Sequence, residues 1–211
     1  RSLFADVVRR IHAQSPRAVG FDFVYGGASS DPEDDDALTS ALASGNNEIL
    51  AYSWETLEKT LKPLPRFIEQ TEGIGFVNKP SGIGGATRHM RTYVASDKVI
   101  DFSIETKLLA VVNGVSPREI SLSNGRIWLG DRLSYPAGDY GILPINFRFL
   151  PEQIPTVSAH KVLNGEVPEE LFTDKIVMVG ATATIIHDEL LTPLGVVPGV
   201  ATIELGRSIM G

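Results

Sequence analysis

The sequence predicts an α/β fold in which a mainly parallel central sheet has flanking helices and a β-rich middle insertion with a hairpin. Residues 17–53 run in the order strand, helix, strand, which implies two parallel strands joined by a right-handed crossover. Asn124-Gly125 lies between two extended runs and is the strongest hairpin signal in the chain. No change in composition marks a boundary, so we expect one domain over residues 1–211.

The N-terminal elements follow from the spacing of apolar residues. Residues 2–14 carry apolar side chains at helical intervals, and residues 18–24 and 48–53 are apolar runs typical of buried strands. The helix between these strands is expected to begin at an N-cap, Ser30 or Asp31, and to stop with Gly45 at its C′ position.

Extended segments and helices alternate over the rest of the chain. The best candidate for a buried strand is the run KIVMVG, residues 175–180. The other predicted extended segments are residues 74–78, 88–94, 120–122, 126–129 and 144–149. The predicted helices are a short one near Phe67, one over 102–112 that ends at Asn113-Gly114, one over 158–163 capped by Ser158, and a terminal one over 200–210.

The charge balance excludes two classes of partner. The chain has 19 basic and 26 acidic side chains and a formal net charge of −7. Nucleic acids and anionic membrane surfaces are bound by clustered Lys and Arg, so we expect neither as a partner. Five of the acids stand within residues 31–36, which leaves 19 basic against 21 acidic side chains elsewhere.

The acidic segment, residues 31–36, has two interpretations. Acids in the first turn of a helix complement its dipole, and Pro32 suits that turn, so helix capping is the simpler one. The alternative is a calcium site, but no Gly follows the acids and no Glu stands at the twelfth position of an EF-hand loop. Whether this segment binds a cation stays open at the sequence level.

Motifs for metal, cofactor and nucleophilic chemistry are absent from the sequence. There is no cysteine, the four histidines show no close metal spacing, and no Gly-x-Ser-x-Gly elbow occurs. Residues 82–85 are glycine-rich but lack the GK[ST] ending of a phosphate loop. We therefore expect no metal, no cofactor and no catalytic residue.

One crevice could bind a ligand. Asp22 lies near the end of the first predicted strand, and Gly180-Ala181-Thr182 follow a strong strand. Ligands of parallel sheets favour the carboxyl edge, so Asp22 and Thr182 would face one crevice if their strands are neighbours. A structural interpretation remains open as well, in which the small residues allow a tight turn and Asp22 bonds to loop backbone.

Several segments, taken in order, resemble a known family. They are VGFDFVYG (19–26), DPEDDDALTSAL (31–42), GIGFVN (73–78), Arg88 and Arg91, INFRF (145–149), PTVSAHKVLNGEVPEELFTDKIVMVGAT (155–182), Asp188, TPLG (192–195) and PGV (198–200). This order resembles the type-two CHASE domains, the cyclase/histidine-kinase-associated sensory extracellular domains of bacterial receptors. The chain departs from the family pattern after PGV, where it reads ATIELGRS and lacks a Glu-Ile-His step.

The resemblance implies an extracytoplasmic, periplasmic or extracellular, sensor within a cell-membrane receptor. Such a domain follows one transmembrane helix and precedes others that lead to a nucleotide cyclase, a histidine kinase or a serine/threonine kinase, so we expect the chain to be a piece of such a receptor. The stimulus, a small molecule or a protein, is not named by the resemblance. We predict ligand contacts from Asp22, Asn146, Arg148, Thr182 and Asp188, which all fall within the quoted segments.

Three functions compete at this stage. The first is a non-catalytic sensor, a homodimer in the intact receptor, whose stimulus changes the packing of the terminal helices. The second is an α/β hydrolase that uses Asp22, Asp188 and the turn at 180–182. The third is a structural dimerisation module without a ligand.

Overall fold

A computed structural model describes residues 1–56, 59–80, 82–96, 99–147, 153–182 and 189–207. Its helices are α1 (Ser2–His12), α2 (Pro32–Leu42), α3 (Pro65–Ile68), α4 (Ile104–Val112), α5 (Ala159–Asn164) and α6 (Gly199–Arg207). Its strands are β1 (Ala18–Phe21), β2 (Glu48–Thr56), β3 (Lys59–Leu61), β4 (Gly73–Phe76), β5 (His89–Arg91), β6 (Tyr93–Ala95), β7 (Ile100–Phe102), β8 (Ile120–Ser123), β9 (Arg126–Leu129), β10 (Leu133–Pro136), β11 (Ile142–Pro144), β12 (Ile176–Val179), β13 (Glu189–Thr192) and β14 (Gly195–Pro198).

The central sheet is mostly parallel. β1 pairs in parallel with β12 on one side and with β2 on the other, and β2 pairs in parallel with β4. β3 extends the far end of β2 as an antiparallel partner. The predicted strand–helix–strand unit is therefore confirmed, and so is the mixed α/β fold.

Small antiparallel sheets form the middle of the chain, as the sequence predicts. β8, β9 and β10 form a three-stranded sheet, and β5 pairs with β11 while β6 pairs with β7. The turn between β8 and β9 has Asn124 at φ 51° and Gly125 at φ 69°, both in the left-handed region that a tight two-residue hairpin requires.

Helices cover both faces of the central sheet. On one face Val19, Phe21 and Leu50 pack in one buried cluster with α1 and α2. The alternate residues Ala18, Ile49 and Ala51 pack with α4 and with Ile203 of α6. The two terminal helices, α1 and α6, thus lie on opposite faces, because successive strand residues point to opposite sides.

Glycines let α4 approach its face of the sheet closely. A Cβ on Gly75 of β4 would lie 3.0 Å from the Ser103 carbonyl carbon, and closer still to the backbone of Ile104. A Cβ on Gly20 of β1 would lie 2.8 Å from the Leu108 side chain. Glycine inside a strand commonly marks such a close backbone approach.

The acidic segment serves as the start of α2, as helix capping predicts. Asp31 is the N-cap, and its carboxylate accepts the Glu33 amide at 3.0 Å. Asp34 accepts the Ser2 amide at 3.2 Å, and Asp36 pairs with Arg66. Among the described residues, no group of three or more His, Asp or Glu side chains is arranged to hold a metal ion.

Gly45 does not occupy the C′ position of α2. The helix ends at Leu42 with Ala43 as its C-cap, two residues before the expected stop. The physical reason for a glycine here is space, because a Cβ on Gly45 would lie 2.5 Å from Cε1 of His12.

Two other expectations fail in detail. The predicted strand over 144–149 is wrong in its described part, because β11 ends at Pro144 and residues 145–147 form no strand; residues 148 and 149 lie outside the described ranges. β12 is only half-buried throughout, since it stands at the edge of the sheet beside β1.

No helix in the described ranges has both the length and the apolar character to cross a bilayer.

Candidate functional site

A cavity of about 210 Å³ lies at the carboxyl edge of the central sheet. Asp22 follows β1, and Val77 and Lys79 follow β4, so the ends of two parallel strands supply one side. The first turn of α6 supplies another through Gly199, Thr202 and Ile203. This is the edge at which open parallel sheets bind ligands.

The loop after β12 reaches the same edge. Asp22 continues the pairing of β1 with β12, since its amide donates to the Val179 carbonyl at 2.8 Å. A Cβ on Gly180 would lie 3.2 Å from Cβ of Asp22 and 2.6 Å from Cβ of Val200 in α6. Gly180 therefore allows α6 to pack directly on the strand end, which accords with the structural interpretation of that small residue.

A buried ion pair borders the cavity. The Lys79 ammonium pairs with Oε1 of Glu105, a residue in the first turn of α4. The side chains are only 8% and 1% exposed, respectively. Oε2 of Glu105 is buried and has no hydrogen-bond partner within the described residues. Charged side chains this deep are found almost only in pairs, so each depends on the other.

Hydroxyls, apolar side chains and Gly85 complete the described lining. Thr87 is 4% exposed, and its amide donates to the Leu191 carbonyl at 2.7 Å. Thr202 is fully buried and donates its hydroxyl to the Gly199 carbonyl at 2.6 Å. Val77, Leu190 and Ile203 add apolar surface. The lining thus combines polar and apolar surface at the sheet edge where open parallel sheets bind ligands.

A second polar cluster ties the middle of β2 to α4. The Tyr52 hydroxyl donates to Oδ2 of Asp101 at 2.6 Å, and Lys107 of α4 donates to Oδ1 of the same carboxylate at 2.6 Å. Burial raises the pKa of the Tyr52 phenol, and the bond to the Asp101 carboxylate raises that pKa further. A phenol is neutral at physiological pH in any case, and the raised pKa keeps this one a donor to still higher pH.

Of the five predicted site residues, only Asp22 is found in the described cavity lining. Asp22 lines the cavity, and Thr182 is an exposed residue of the loop after the neighbouring strand β12. Asn146 is half-buried after β11, in the antiparallel part of the fold, and is not among the residues that line the cavity. Arg148 and Asp188 lie outside the described residues, so the predicted ligand set stays a prediction.

Sequence reasoning missed Lys79 and Glu105. Lys79 follows the predicted strand 74–78, and the rule that places Asp22 at a carboxyl edge applies equally to a residue after that strand. Glu105 carries no such signal, because an acid in the first turn of a helix is usually exposed. Its burial depends on the close packing of α4 on β4.

Comparison with models of protein families identifies the family of this chain. The model of the CHASE2 domain matches residues 1–203. The chain belongs to the CHASE2 family, so the resemblance seen in the sequence is confirmed. CHASE2 domains are extracytoplasmic sensory domains and are not catalytic, so the hydrolase alternative is not supported. The comparisons with curated proteins and with solved structures found no match.

Proposed function

We propose that this CHASE2 domain receives a stimulus at the carboxyl-edge cavity and passes it through α6 to a cytoplasmic nucleotide cyclase or protein kinase. The homodimer of the intact receptor and the flanking transmembrane helices belong to the same proposal. Among the predicted ligand contacts, Asp22 lines the cavity, which supports including it in the proposal.

One observation carries this proposal. The first turn of the terminal helix α6 is itself part of the cavity lining, through Gly199, Thr202 and Ile203. A ligand in the cavity would therefore contact α6, the helix that this proposal takes as the output element. Any preference of the ligand for one position of α6 shifts the population of that position.

The packing around α6 supports the same route. Ile203 is 2% exposed and packs with Ile49, Ile104 and Leu108. A shift in the position of α6 would therefore alter its packing against the sheet and against α4. α1 packs on the other face of the sheet and is not in the described lining. The proposal accordingly assigns the output to α6 and not to α1.

The test replaces the sensor domain of a membrane-bound adenylate cyclase with this domain and measures cyclic AMP. Gly180→Ala puts a Cβ 2.6 Å from Cβ of Val200, so α6 must move away from the strand end. We expect a changed basal output. Gly27→Ala is the matched control, because a Cβ at Gly27 would meet nothing within 4 Å.

Gly180→Ala/Val200→Gly restores the lost space and should return the output toward the parent value. The proposal is wrong if Gly180→Ala and Gly27→Ala give the same output as the parent while both fold. That result would favour a structural dimerisation module without a ligand.

A further inference from the structure

We propose that His12 and Glu48 hold one proton between them in the folded domain, and that this proton makes the anchorage of α1 sensitive to the pH outside the cytoplasm. CHASE2 domains are extracytoplasmic, so this pH acts on the domain directly. The inference goes beyond the proposed function, because it concerns the start of β2 and not the cavity at the carboxyl edge.

His12 and Glu48 meet where the end of α1 approaches the start of β2. Nε2 of His12 lies against Oε1 of Glu48, and the two side chains are 9% and 0% exposed, respectively. Within the described residues, neither of these two atoms has another hydrogen-bond partner. Gly45 leaves room for the contact, since a Cβ there would lie 2.7 Å from the Glu48 carboxyl carbon. The two atoms therefore depend on each other.

The hydroxyl of Ser44 determines which ring nitrogen of His12 must carry a proton. It lies 2.6 Å from the Ala41 carbonyl oxygen and donates its only proton there, because a carbonyl oxygen can only accept. Towards Nδ1 of His12, 3.1 Å away, the same hydroxyl oxygen can then only accept. Nδ1 accordingly carries a proton and donates it to Ser44.

The proton on Nδ1 leaves two states for Nε2. In a neutral imidazole of this tautomer, Nε2 has a lone pair, which would face the lone pairs of the Glu48 carboxylate and repel them. With a proton on Nε2, the ring is an imidazolium and faces the carboxylate as a charged donor. Histidine is ordinarily more basic than glutamate, with pKa values of about 6.5 and about 4.3, so we place this proton on Nε2.

The burial of the carboxylate favours the same state. Oε2 of Glu48 accepts the Asn47 amide at 3.1 Å, and that bond brings no full positive charge. A buried carboxylate without a counter-charge is strongly unfavourable, whereas a carboxylate with an imidazolium has no net charge. The contact therefore needs the proton both for its hydrogen bond and for its charge balance.

The surrounding elements supply no substitute for this proton. In the described residues, no other basic nitrogen lies within 4 Å of the Glu48 carboxylate, and no other carboxylate lies within 4 Å of the His12 ring nitrogens. Lys107 and Glu105 of α4 are paired with Asp101 and Lys79. The remaining charged or titratable neighbours are Arg9 and Arg10 of α1, Arg17 after it, the acids at the far end of α2, His160 and Lys161 of α5, and Glu72, whose amide donates to the Glu48 carbonyl at 3.0 Å.

The sign of the pH dependence follows from the proton count. The folded contact requires one proton, which an unfolded histidine releases above about pH 6.5, so stability falls as the pH rises beyond that value. Below about pH 4.3 the unfolded chain also binds a proton at its glutamate, so stability falls there as well. α1 is thus held at β2 near neutral pH, and alkaline pH frees its carboxyl end.

The first experiment observes the proton in the parent domain. Nitrogen-15 NMR of the histidine rings is recorded from pH 6 to pH 9, with His160 on the exposed side of α5 as the internal reference. We expect the His12 ring to have both nitrogens protonated at pH 7.5 and to lose its second proton at least one pH unit above His160. A His12 ring that titrates together with His160 overturns the proposal.

The second experiment measures urea unfolding of the domain at pH 6.5 and pH 8.5. Release of one proton on unfolding raises the unfolding constant by up to tenfold per pH unit. Between the two pH values, we expect this constant to rise at least fivefold more in the parent than in Glu48→Gln, which has no carboxylate to balance. His160→Gln is the matched control and should keep the parent dependence. Equal dependence in the parent and Glu48→Gln overturns the proposal.

Amide NMR of the same proteins tests the anchorage itself. Between pH 6.5 and pH 9 we expect the amide resonances of residues 10–15 to shift in the parent and in His160→Gln, but to stay in place in Glu48→Gln. Resonances of residues 10–15 that do not move in the parent also overturn the proposal. The measurements on the parent need no variant, so they decide the matter even where Glu48→Gln does not fold.

Discussion

Asp35 is the buried member of the acidic segment, with a residue exposure of 4%. Its carboxylate accepts the Ser29 amide at 3.1 Å and pairs with the Arg1 guanidinium, which also lies over the ring of Phe67 at 5.5 Å. Desolvation alone would raise the pKa of Asp35, but the bonds from Arg1 and Ser29 and the charges of Arg1 and Arg66 outweigh it, so this pKa is lowered.

The lowered pKa of Asp35 makes the free energy of unfolding depend on pH. A pKa that is lower in the folded chain means that Asp35 contributes stability above about pH 4, and the contribution is lost as the pH falls through the lowered folded-state pKa. Asp35→Asn should cost about 2 kcal/mol at pH 7 and progressively less toward pH 2. Urea unfolding at several pH values measures this.

The control for Asp35 is Asp6→Asn. Asp6 pairs with Arg9 on the surface of α1, where both side chains are about half exposed. Such pairs contribute about 0.5 kcal/mol or less. Equal losses in the two variants at pH 7 would contradict the role given to Asp35.

A second buried pair joins α1 to the sheet. Glu48 opens β2 at 0% exposure, and its Oε1 lies against Nε2 of His12, the last residue of α1. Nδ1 of His12 lies 3.1 Å from the Ser44 hydroxyl, and Oε2 of Glu48 accepts the Asn47 amide at 3.1 Å. The pair therefore anchors the end of α1 at the edge opposite to the cavity.

Removing His12 should be worse than neutralising Glu48. His12→Ala removes the imidazole that lies against the buried Glu48 carboxylate and should cost about 3–5 kcal/mol of unfolding free energy, as the loss of one partner of a buried carboxylate does. Glu48→Gln leaves no buried carboxylate and should cost less. Chemical denaturation at pH 6 compares the two, and a larger loss for Glu48→Gln would contradict this account.

At the scale of elements, the close packing of α4 on the sheet is the feature on which the site depends. It brings Ser103 and Ile104 against Gly75, and it places Glu105 behind Lys79. Gly20 lies on the same face of the sheet. The atoms nearest to a Cβ at Gly20 would be the flexible ends of the Met178 and Leu108 side chains.

Gly75→Ala should therefore be more harmful than Gly20→Ala. The backbone at Ser103 and Ile104 cannot yield without moving α4, so we expect a loss near the upper end of about 1–3 kcal/mol for overpacking. Side chains can rotate away from a Cβ at Gly20, so we expect about 1 kcal/mol there. Thermal unfolding of both variants, with Gly27→Ala as the control, tests the order of the losses.

The caps and turns of the elements show which features could be predicted from the sequence. The Asp31 cap, the Ser158 cap of α5 and the Asn124-Gly125 turn are confirmed, because capping and tight turns are decided by residues only a few positions apart. The expected stop at Gly45 is wrong, because that glycine makes room for His12 from another element.

The site was less predictable than the fold. Lys79 and Glu105 are 26 residues apart and fit no motif, and they meet only because α4 packs against β4. The edge position of β12 is likewise a property of the whole sheet, since the composition of KIVMVG is equally suited to a central strand.

At the scale of the molecule, the sheet separates two terminal helices with different tasks. α1 is anchored through Arg1 to α2 and through His12 to β2, and both anchors lie away from the described cavity lining. α6 is instead built into the cavity at its first turn. We therefore expect α1 to act as the fixed helix and α6 as the responsive one.

Filling the cavity covalently tests this claim most directly, because the chain has no cysteine of its own. Leu190→Cys would be labelled with benzyl methanethiosulfonate, whose disulfide product is larger than leucine, and amide hydrogen exchange would be compared before and after labelling. Leu61→Cys, on the exposed strand β3, is the control. The account predicts a change of exchange in residues 199–207 with little change in α1. Exchange in residues 199–207 that labelling at residue 190 leaves unaltered would contradict it.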